Sequence, residues 1–395
     1  MSPAIAFRRG ALAAAALLTI GAGFAGASPY LPADDAVVLE RLPEKGDPAL
    51  RDLKRMRAVL AAAPRILDVA VAVARRSIDA ARASGDPRYL GQAQAALSPW
   101  WSAAAPPEVV VLLRATLRQS QHDFDGALAD LDGLLTANPR AVQARLTRAT
   151  VLTVVGRYAE ARADCSDLAT VAPPLVVAGC VAAPASMSGS AEAAYAALSK
   201  VLARPGTDAD AVEWTHTLAA EIAQRRGDAA AAERHYRAAL LLDPTDAYLK
   251  GAYADFLLDA GRPADVLRLV GDDLRNDALL LRRVLAEQQL PDQAAPFAAH
   301  RAEMAARFEA ARRRGDSLHR REEARFRLAV EGDLRGAVAL ARDNWKVQRE
   351  AADLRILVDA ARAAHDTQAL QVAADWIARN GLEDAWLAAA QRASR

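Results

Sequence analysis

Helical periodicity runs along the chain from Ala49 towards its C-terminus. Stretches of about 11 to 17 residues carry apolar side chains at positions i, i+3, i+4 and i+7, which fall on one face of an α-helix. Short breaks separate these stretches, as at residues 84–87 and 261–263, where glycine and proline end one helix before the next begins. Because no alternating β-strand pattern of useful length is present, the chain is predicted to be all-α.

The helical breaks recur at one period. Seven positions between residues 115 and 139 are matched 34 residues later by residues of similar character, and much of the set returns from residue 220 and from residue 254. Such a period indicates stacked supersecondary units, because a single helix pair cannot bury both of its faces. The first two copies hold Ala115, His122, Phe124, Ala127, Leu131, Leu134 and Pro139, and then Ala149, Gly156, Tyr158, Ala161, Cys165, Leu168 and Pro173.

Each matched position has a physical role in such a unit. The two alanines let neighbouring helices approach closely, and the glycine ends the first helix. The aromatic residue that follows fills the space beneath the turn, and the proline begins the next unit. The positions and the period resemble the tetratricopeptide repeat (TPR), most clearly over residues 109–173 and 213–266. The resemblance implies a right-handed α-solenoid of stacked helix-turn-helix units with a concave groove.

Weaker copies lie between and beyond the well-matched repeats. Gly85, Gly189 and His365 occupy turn positions of degenerate repeats, although the first family position, often tryptophan, holds other residues in the well-matched copies. We therefore expect the repeat array to cover residues 49–380. Because a solenoid exposes an apolar face at its end, we expect residues 381–395 to form a capping helix.

The first 27 residues have the order of a secretory signal peptide. Arg8 and Arg9 precede an uncharged run that ends in small residues at Ala27. An uncleaved anchor helix is the alternative, since the run approaches the minimum spanning length of about 17 residues. Residues 28–48 contain four prolines and are predicted to form an extended arm. We expect cleavage near Ala27 and a periplasmic or secreted mature chain without an integral membrane segment.

Composition and motifs give no sign of catalysis. A formal net charge of +1 with 25% charged residues provides no global field to attract nucleic acid. No motif for a nucleophile, a phosphate-binding loop or a dinucleotide is present. His122, Asp123 and Asp125 could form part of a metal site, but they fall in a predicted inter-helix turn and are interpreted as helix-capping residues. The sequence therefore predicts no enzyme, cofactor, metal or nucleic-acid partner.

The two cysteines are predicted to form a disulfide. Cys165 falls at a packing position on the second helix of one repeat, and Cys180 lies on the first helix of the next. Adjacent helices in such stacks lie about 8 to 10 Å apart, so facing side chains can meet. An exported chain also enters an oxidising compartment, where paired cysteines usually bond. Two buried thiols are the alternative.

The concave groove is the candidate binding surface, because TPR proteins usually bind ligands along their first helices. Some members clamp a peptide carboxylate with Lys and Asn, but the matching positions here hold other residues, so no such clamp is expected. A second candidate is the arginine-rich segment from Arg312 to Arg327, which is interpreted as a solvated helix end and turn. Most of the binding energy is expected between Trp214 and Asp259. The groove candidates are Gln119, Gln143, Thr150, Trp214, Glu221, Gln224, Arg225, Tyr248, Asp255 and Asp259.

The leader and the repeat together predict an exported, non-enzymatic scaffold that binds a protein or peptide partner in the cell envelope. One alternative is an accessory protein for envelope carbohydrate handling or polysaccharide secretion, a role of some exported TPR proteins. In that case Trp214 and Tyr248 would stack on sugars. The other alternative is an enzyme whose site is not recognisable from the sequence.

Overall fold

Helices provide the regular structure in the residues that the computed structural model describes, which are residue 34 and residues 48–204, 208–272, 274–316 and 318–392. The predicted signal peptide and almost all of the predicted arm lie outside these residues. Residues 48–395 form one compact unit. None of the helices described in it combines the length and the apolar character that a membrane span needs. The all-α prediction is confirmed.

The described helices alternate with short turns, as the periodicity predicts. Two 3-10 turns, Leu168–Thr170 and Pro291–Gln293, and one π-helical turn, Arg327–Glu331, interrupt the α-helical pattern. The α-helices are α1 (Pro48–Ala62), α2 (Leu67–Ser84), α3 (Arg88–Trp101), α4 (Glu108–Ser120), α5 (Phe124–Ala137), α6 (Val142–Val154), α7 (Tyr158–Asp167), α8 (Pro174–Ser186), α9 (Ala191–Leu202), α10 (Ala209–Arg225), α11 (Ala229–Leu242), α12 (Ala247–Asp259), α13 (Pro263–Val270), α14 (Asp277–Glu287), α15 (Ala294–Arg313), α16 (Arg320–Phe326), α17 (Leu334–Val347), α18 (Ala351–Ala363), α19 (Thr367–Asn380) and α20 (Ala385–Arg392).

The helices form two layers of a solenoid. Over most of the chain, consecutive helices pack against each other. The even-numbered helices from α2 to α16 also pack against the next even-numbered helix. Helices far apart in sequence meet through the same layer, since α2 contacts α12 and α10 contacts α20. We therefore call the even-numbered helices the inner layer and the odd-numbered helices the outer layer.

The turns between paired helices have the backbone conformation that the repeat predicts. Gly156 and Gly227 have φ values of 80° and 79°, in the left-handed region that glycine adopts without steric cost. His122 and His365 occupy equivalent turns with φ values of 58° and 54°. The next residue caps the outer helix in several units, as where the carboxylate of Asp123 accepts the backbone N–H of Gly126 at 3.0 Å. The interpretation of this turn as a helix cap is confirmed.

The core lies between the layers, at the positions that the repeat assigns to packing. Leu131 and Tyr236 are buried at the same position of two different outer helices. Tyr236 stacks on Tyr253 of α12, with ring centroids 5.2 Å apart. Cys165 occupies the same position on α7 and forms a disulfide with Cys180 on α8, with Cα atoms 5.4 Å apart. The structure thus contains the bond that the sequence predicts.

The C-terminal repeats fold back onto the turns of earlier repeats. The backbone N–H of Arg349 donates to the carbonyl of Val154 at 2.8 Å, and the Tyr158 hydroxyl donates to the carbonyl of Arg349 at 3.2 Å. Trp376 of α19 packs so closely on Gly156 that a Cβ at that glycine would lie 2.5 Å from its ring. Two further close approaches extend this contact, which we call the seam: Gly381 against Gly189 and Ala385 against Gly227.

Candidate functional site

Ionisable side chains from five inner-layer helices meet in one network. It contains most of the predicted groove residues between Glu221 and Asp259, and it joins them to residues more than 60 positions further along the chain. We call it the inner network. Its carboxylates are Glu221, Asp255, Asp259, Glu322, Glu350, Asp353 and Asp359, and its guanidiniums are Arg225, Arg282, Arg321, Arg325 and Arg355.

Asp255 lies between two arginines of different helices. Its carboxylate accepts from Arg282 of α14, at 2.7 Å for the shorter contact, and from Arg325 of α16. Burial favours the neutral acid, but the two guanidiniums outweigh burial and hold the pKa of Asp255 well below its usual range. Asp255 is therefore a fixed charge that ties α12 to α14 and α16.

Asp259 makes the longest-range link in the network. Its carboxylate accepts hydrogen bonds from both terminal nitrogens of Arg355, at 2.5 and 2.6 Å, although the two residues are 96 positions apart. The Arg355 guanidinium also lies over the ring of Trp386, 4.4 Å from its centroid. Bidentate geometry and aromatic stacking both favour arginine at this position.

Arg321 is the centre of a second cluster. Its guanidinium contacts Glu322 and Glu350 at 3.2 Å and Asp353 at 3.3 Å. Burial opposes ionisation of Glu322, but the charge of Arg321 outweighs it and lowers the Glu322 pKa to about 2. Burial and repulsion from Asp353 instead raise the Glu350 pKa to about 7. Two carboxylates beside one arginine therefore have opposite tendencies to ionise.

This cluster corrects the interpretation of the arginine-rich segment. Arg313 at its start is exposed, as expected, and pairs with Glu309 at 2.7 Å. Arg321 and Arg325, however, belong to the inner network and are not part of a solvated helix end. The two surfaces that the sequence offered as alternatives thus meet in one place, since Arg325 contacts the groove residue Asp255. The segment comprises the end of α15, a turn and the helix α16, and α16 directs Arg325 towards Asp255 of α12.

Tyr248 is the exposed aromatic residue of the inner network. Its hydroxyl donates to Glu221 at 2.6 Å, and the negative charge of Glu221 raises the Tyr248 pKa well above its usual value. The charges of Arg321 and Glu350 also act on this hydroxyl, yet the residue is 61% exposed. We call this exposed ring, together with the Glu221, Arg321 and Glu350 groups that act on its hydroxyl, the Tyr248 site.

The other predicted groove residues have more local contacts. Trp214 is half-buried, and its ring lies where a Cβ on Gly179 would be. Arg225 donates to Ser186 at 2.7 Å, and Gln224 accepts from the buried Tyr236 hydroxyl at 2.9 Å. In the first two copies, Gln119 is half-buried on α4, Gln143 and Thr150 are exposed on α6, and the Thr150 hydroxyl donates to the carbonyl of Leu146.

Sequence reasoning missed several residues of the network, among them Arg282, Glu350 and Arg355. Arg282 is buried within the apolar run of α14, where a charge at a core-facing position is unusual. That placement was the one available signal. Glu350 is the N-cap residue of α18 and Arg355 lies on that helix, whose amphipathic spacing is ordinary, so nothing local distinguishes the two residues from solvated charges.

The raised pKa of Glu350 predicts a pH effect on stability. A carboxyl whose folded pKa of about 7 exceeds its unfolded value of about 4.5 stabilises the fold fully below pH 4.5 and loses this contribution as the pH rises through 7. Glu350→Gln removes the titrating carboxyl, so the variant does not lose this stability as the pH rises through 7. Relative to the parent, the variant is expected to be more stable at pH 8 than at pH 5, by about 1 kcal/mol once its 35% side-chain exposure is allowed for. Urea unfolding at both pH values measures the difference.

Glu303→Gln provides the control for this experiment. Glu303 lies on the outer helix α15 and pairs with Arg307 near the surface. Its substitution should change stability equally at pH 5 and pH 8. A Glu350→Gln variant with the same small, pH-independent effect would show that folding does not raise the Glu350 pKa.

Comparison with known proteins identifies the fold. The sequence matches no protein-family model and no curated protein. The structure is similar to the Cut9–Hcn1 hetero-tetramer of the APC/C, with a TM-score of 0.53 and 14% identity over 84% of this chain and 63% of that chain. A TPR protein from Parabacteroides merdae has a TM-score of 0.38 and 16% identity, over 59% of this chain and 92% of that chain. The human IFIT1 dimer with m7Gppp-AAAA has a TM-score of 0.40 and 12% identity, over 84% of this chain and 82% of that chain.

Proposed function

We propose that this protein, which has the fold of a TPR-like α-solenoid, is an exported scaffold that binds a protein partner in the cell envelope. A solenoid of this kind presents a long inner surface whose residues come from successive repeats. The charged residues of that surface mainly pair with one another. This arrangement supports a binding role and not a catalytic one.

The exposed ring of Tyr248 is the observation on which the proposal depends. Its hydroxyl is already bonded to Glu221, so the exposed ring face is the part available to a ligand. Exposed tyrosine rings with a fixed orientation are common anchors of protein interfaces, because they contribute a large contact area at a low entropic cost. An extended peptide segment could reach this ring between the inner helices.

Charge suggests the chemistry of the partner. The inner network has seven carboxyl groups and five guanidiniums, so its carboxyl groups outnumber its arginines. A partner segment with lysine or arginine would pair with the surplus carboxyl groups, and its cation could lie over the Tyr248 ring. We therefore propose a basic peptide segment as the ligand of the Tyr248 site.

The leader-like N-terminus and the Cys165–Cys180 bond support export, since disulfides persist in oxidising compartments. The carbohydrate-handling alternative has less support. That alternative requires the rings of both Trp214 and Tyr248 to stack on sugars, whereas the Trp214 ring packs against Gly179.

Binding measurements on Tyr248 variants test the proposal. A partner is first captured from the cell envelope with the chain from Ser28 as bait, and its dissociation constant is then measured by titration calorimetry. Tyr248→Ala should weaken binding by about 2 kcal/mol, which is roughly thirtyfold. Tyr248→Phe keeps the ring and should bind nearly as tightly as the parent.

Leu241→Ala is the matched control, because Leu241 is an exposed apolar side chain on the outer helix α11. It should leave the dissociation constant unchanged. Loss of binding in Leu241→Ala with normal binding in Tyr248→Ala would place the interface on the outer layer and disprove the proposal.

A further inference from the structure

A second candidate site lies on the seam, away from the inner network. A cavity of about 380 Å³ opens between the start of α7 and the end of α19. This volume lies within the range of small-molecule binding sites, which is about 300 to 1,000 Å³. The polar side chains in its wall are Arg157, Glu160, Arg162, Ser188, Arg379 and Asn380.

The cavity wall has an excess of positive charge. Arg157 is paired with Glu160 through two contacts of 2.6 and 2.7 Å. Arg162 instead donates to the Ser188 hydroxyl at 2.7 Å, and Arg379 lies 5.8 Å from the centroid of the Trp376 ring. The described part of the chain places no carboxylate in ion-pair contact with Arg162 or Arg379. Two guanidinium charges around the cavity are therefore not neutralised by the protein.

Neutral donors add to the positive charge. The amide of Asn380 lines the cavity, and its nitrogen donates to the carbonyl of Trp376 at 3.0 Å. The first backbone N–H groups of α7 also lie at the cavity, and no side chain caps them, because Arg157 occupies the N-cap position. Such N–H groups interact favourably with anions, so they reinforce a preference set by the arginines.

We propose that this cavity binds a small molecule through a phosphate group. Phosphate monoesters carry a charge of about −1.5 to −2 at pH 7, which matches the two unneutralised guanidiniums better than a single carboxylate does. Arginine is also suited to phosphate, since its planar donors can engage two oxygens at once. The volume beyond the phosphate would accommodate the rest of the molecule.

Binding at this site has a consequence for the fold. Arg162 belongs to α7, whereas Arg379 belongs to α19, more than 200 residues later. A phosphate that contacts both would bridge the seam and stabilise the folded-back arrangement of the C-terminal repeats. This inference is independent of the proposed partner and of the Tyr248 site.

Thermal unfolding in phosphate tests the inference. The full mature chain is melted in sodium chloride and in inorganic phosphate of equal ionic strength, and each variant is compared with its own chloride baseline. Phosphate should raise the melting temperature of the parent. Arg162→Gln and Arg379→Gln should each remove at least half of that rise, and calorimetric titration with phosphate should show binding weakened at least fivefold.

Two further variants distinguish a site from a general salt effect. Glu160→Gln removes the carboxylate that competes for Arg157, so it should increase the phosphate-induced rise. Arg301→Gln changes an exposed arginine on α15, far along the chain from the cavity residues, and should leave the rise unchanged. The inference is overturned if the parent shows no rise in phosphate, or if all four variants keep the same rise as the parent.

Discussion

Trp376→Ala is expected to destabilise the protein by about 3 to 5 kcal/mol, the usual cost of truncating a buried tryptophan. Trp376 is 9% exposed and contacts both sides of the seam. It lies edge-on to Trp345 and Tyr158, at centroid distances of 5.4 and 6.1 Å, and beneath the guanidinium of Arg349 at 5.1 Å. Urea unfolding measures the loss. Hydrogen exchange should show reduced protection in α18 and α19, because the loss weakens their contact with the earlier turns.

Glycine substitutions test the same contact from the opposite side. Gly156→Ala and Gly261→Ala both place a side chain at positive φ, which costs about 1 to 2 kcal/mol. Only at Gly156 would the new Cβ meet Trp376, since no atom lies within 4 Å of the corresponding position at Gly261. Gly156→Ala should therefore be the more damaging of the two, and the difference should shrink in the Trp376→Ala background. Equal costs in both backgrounds would show that the seam contributes little to stability.

The turns and buried positions within each repeat could be predicted from the sequence, because they depend on residues that are close together along the chain. The 34-residue period places His122 and Gly156 at equivalent turns, and both residues adopt positive φ there. The same alignment places Leu131, Cys165 and Tyr236 at one buried position of the outer helices. These features depend on contacts within a repeat or between neighbours, which a periodic pattern describes directly.

The contacts of the seam and of the inner network could not be predicted from the repeat pattern. Asp255 meets Arg325 after 70 residues, and Asp259 meets Arg355 after 96. Such contacts depend on the small rotations that accumulate over several repeats, and no single repeat encodes their sum. A charged residue in an amphipathic helix therefore has the same local pattern whether it faces water or another helix. For this reason the local pattern around Arg321 and Arg325 predicts a solvated helix end, although both residues contact carboxylates of the inner network.

Removal of the disulfide is expected to have an effect almost as large as the loss of Trp376. Cys165 and Cys180 are separated by 15 positions, and the chain-entropy model gives about 3 kcal/mol for a loop of this length. Both cysteines are buried among apolar residues of α6, α8 and the 3-10 turn after α7, including Ala149 and Leu168. Alanine at both positions keeps this environment apolar, so the double variant should mainly report the lost cross-link. Urea unfolding of the parent and the double variant measures the difference.

Reduction of the parent separates the cross-link from the packing of the sulfur atoms. The parent in a reducing agent keeps both side chains and should lose nearly as much stability as the Cys165→Ala/Cys180→Ala variant. The double variant itself should not respond to the reducing agent. If mass spectrometry of the non-reduced, unfolded parent finds both thiols freely alkylated, the bond does not form in the purified protein. Export to an oxidising compartment would then lose the support that the disulfide gives it.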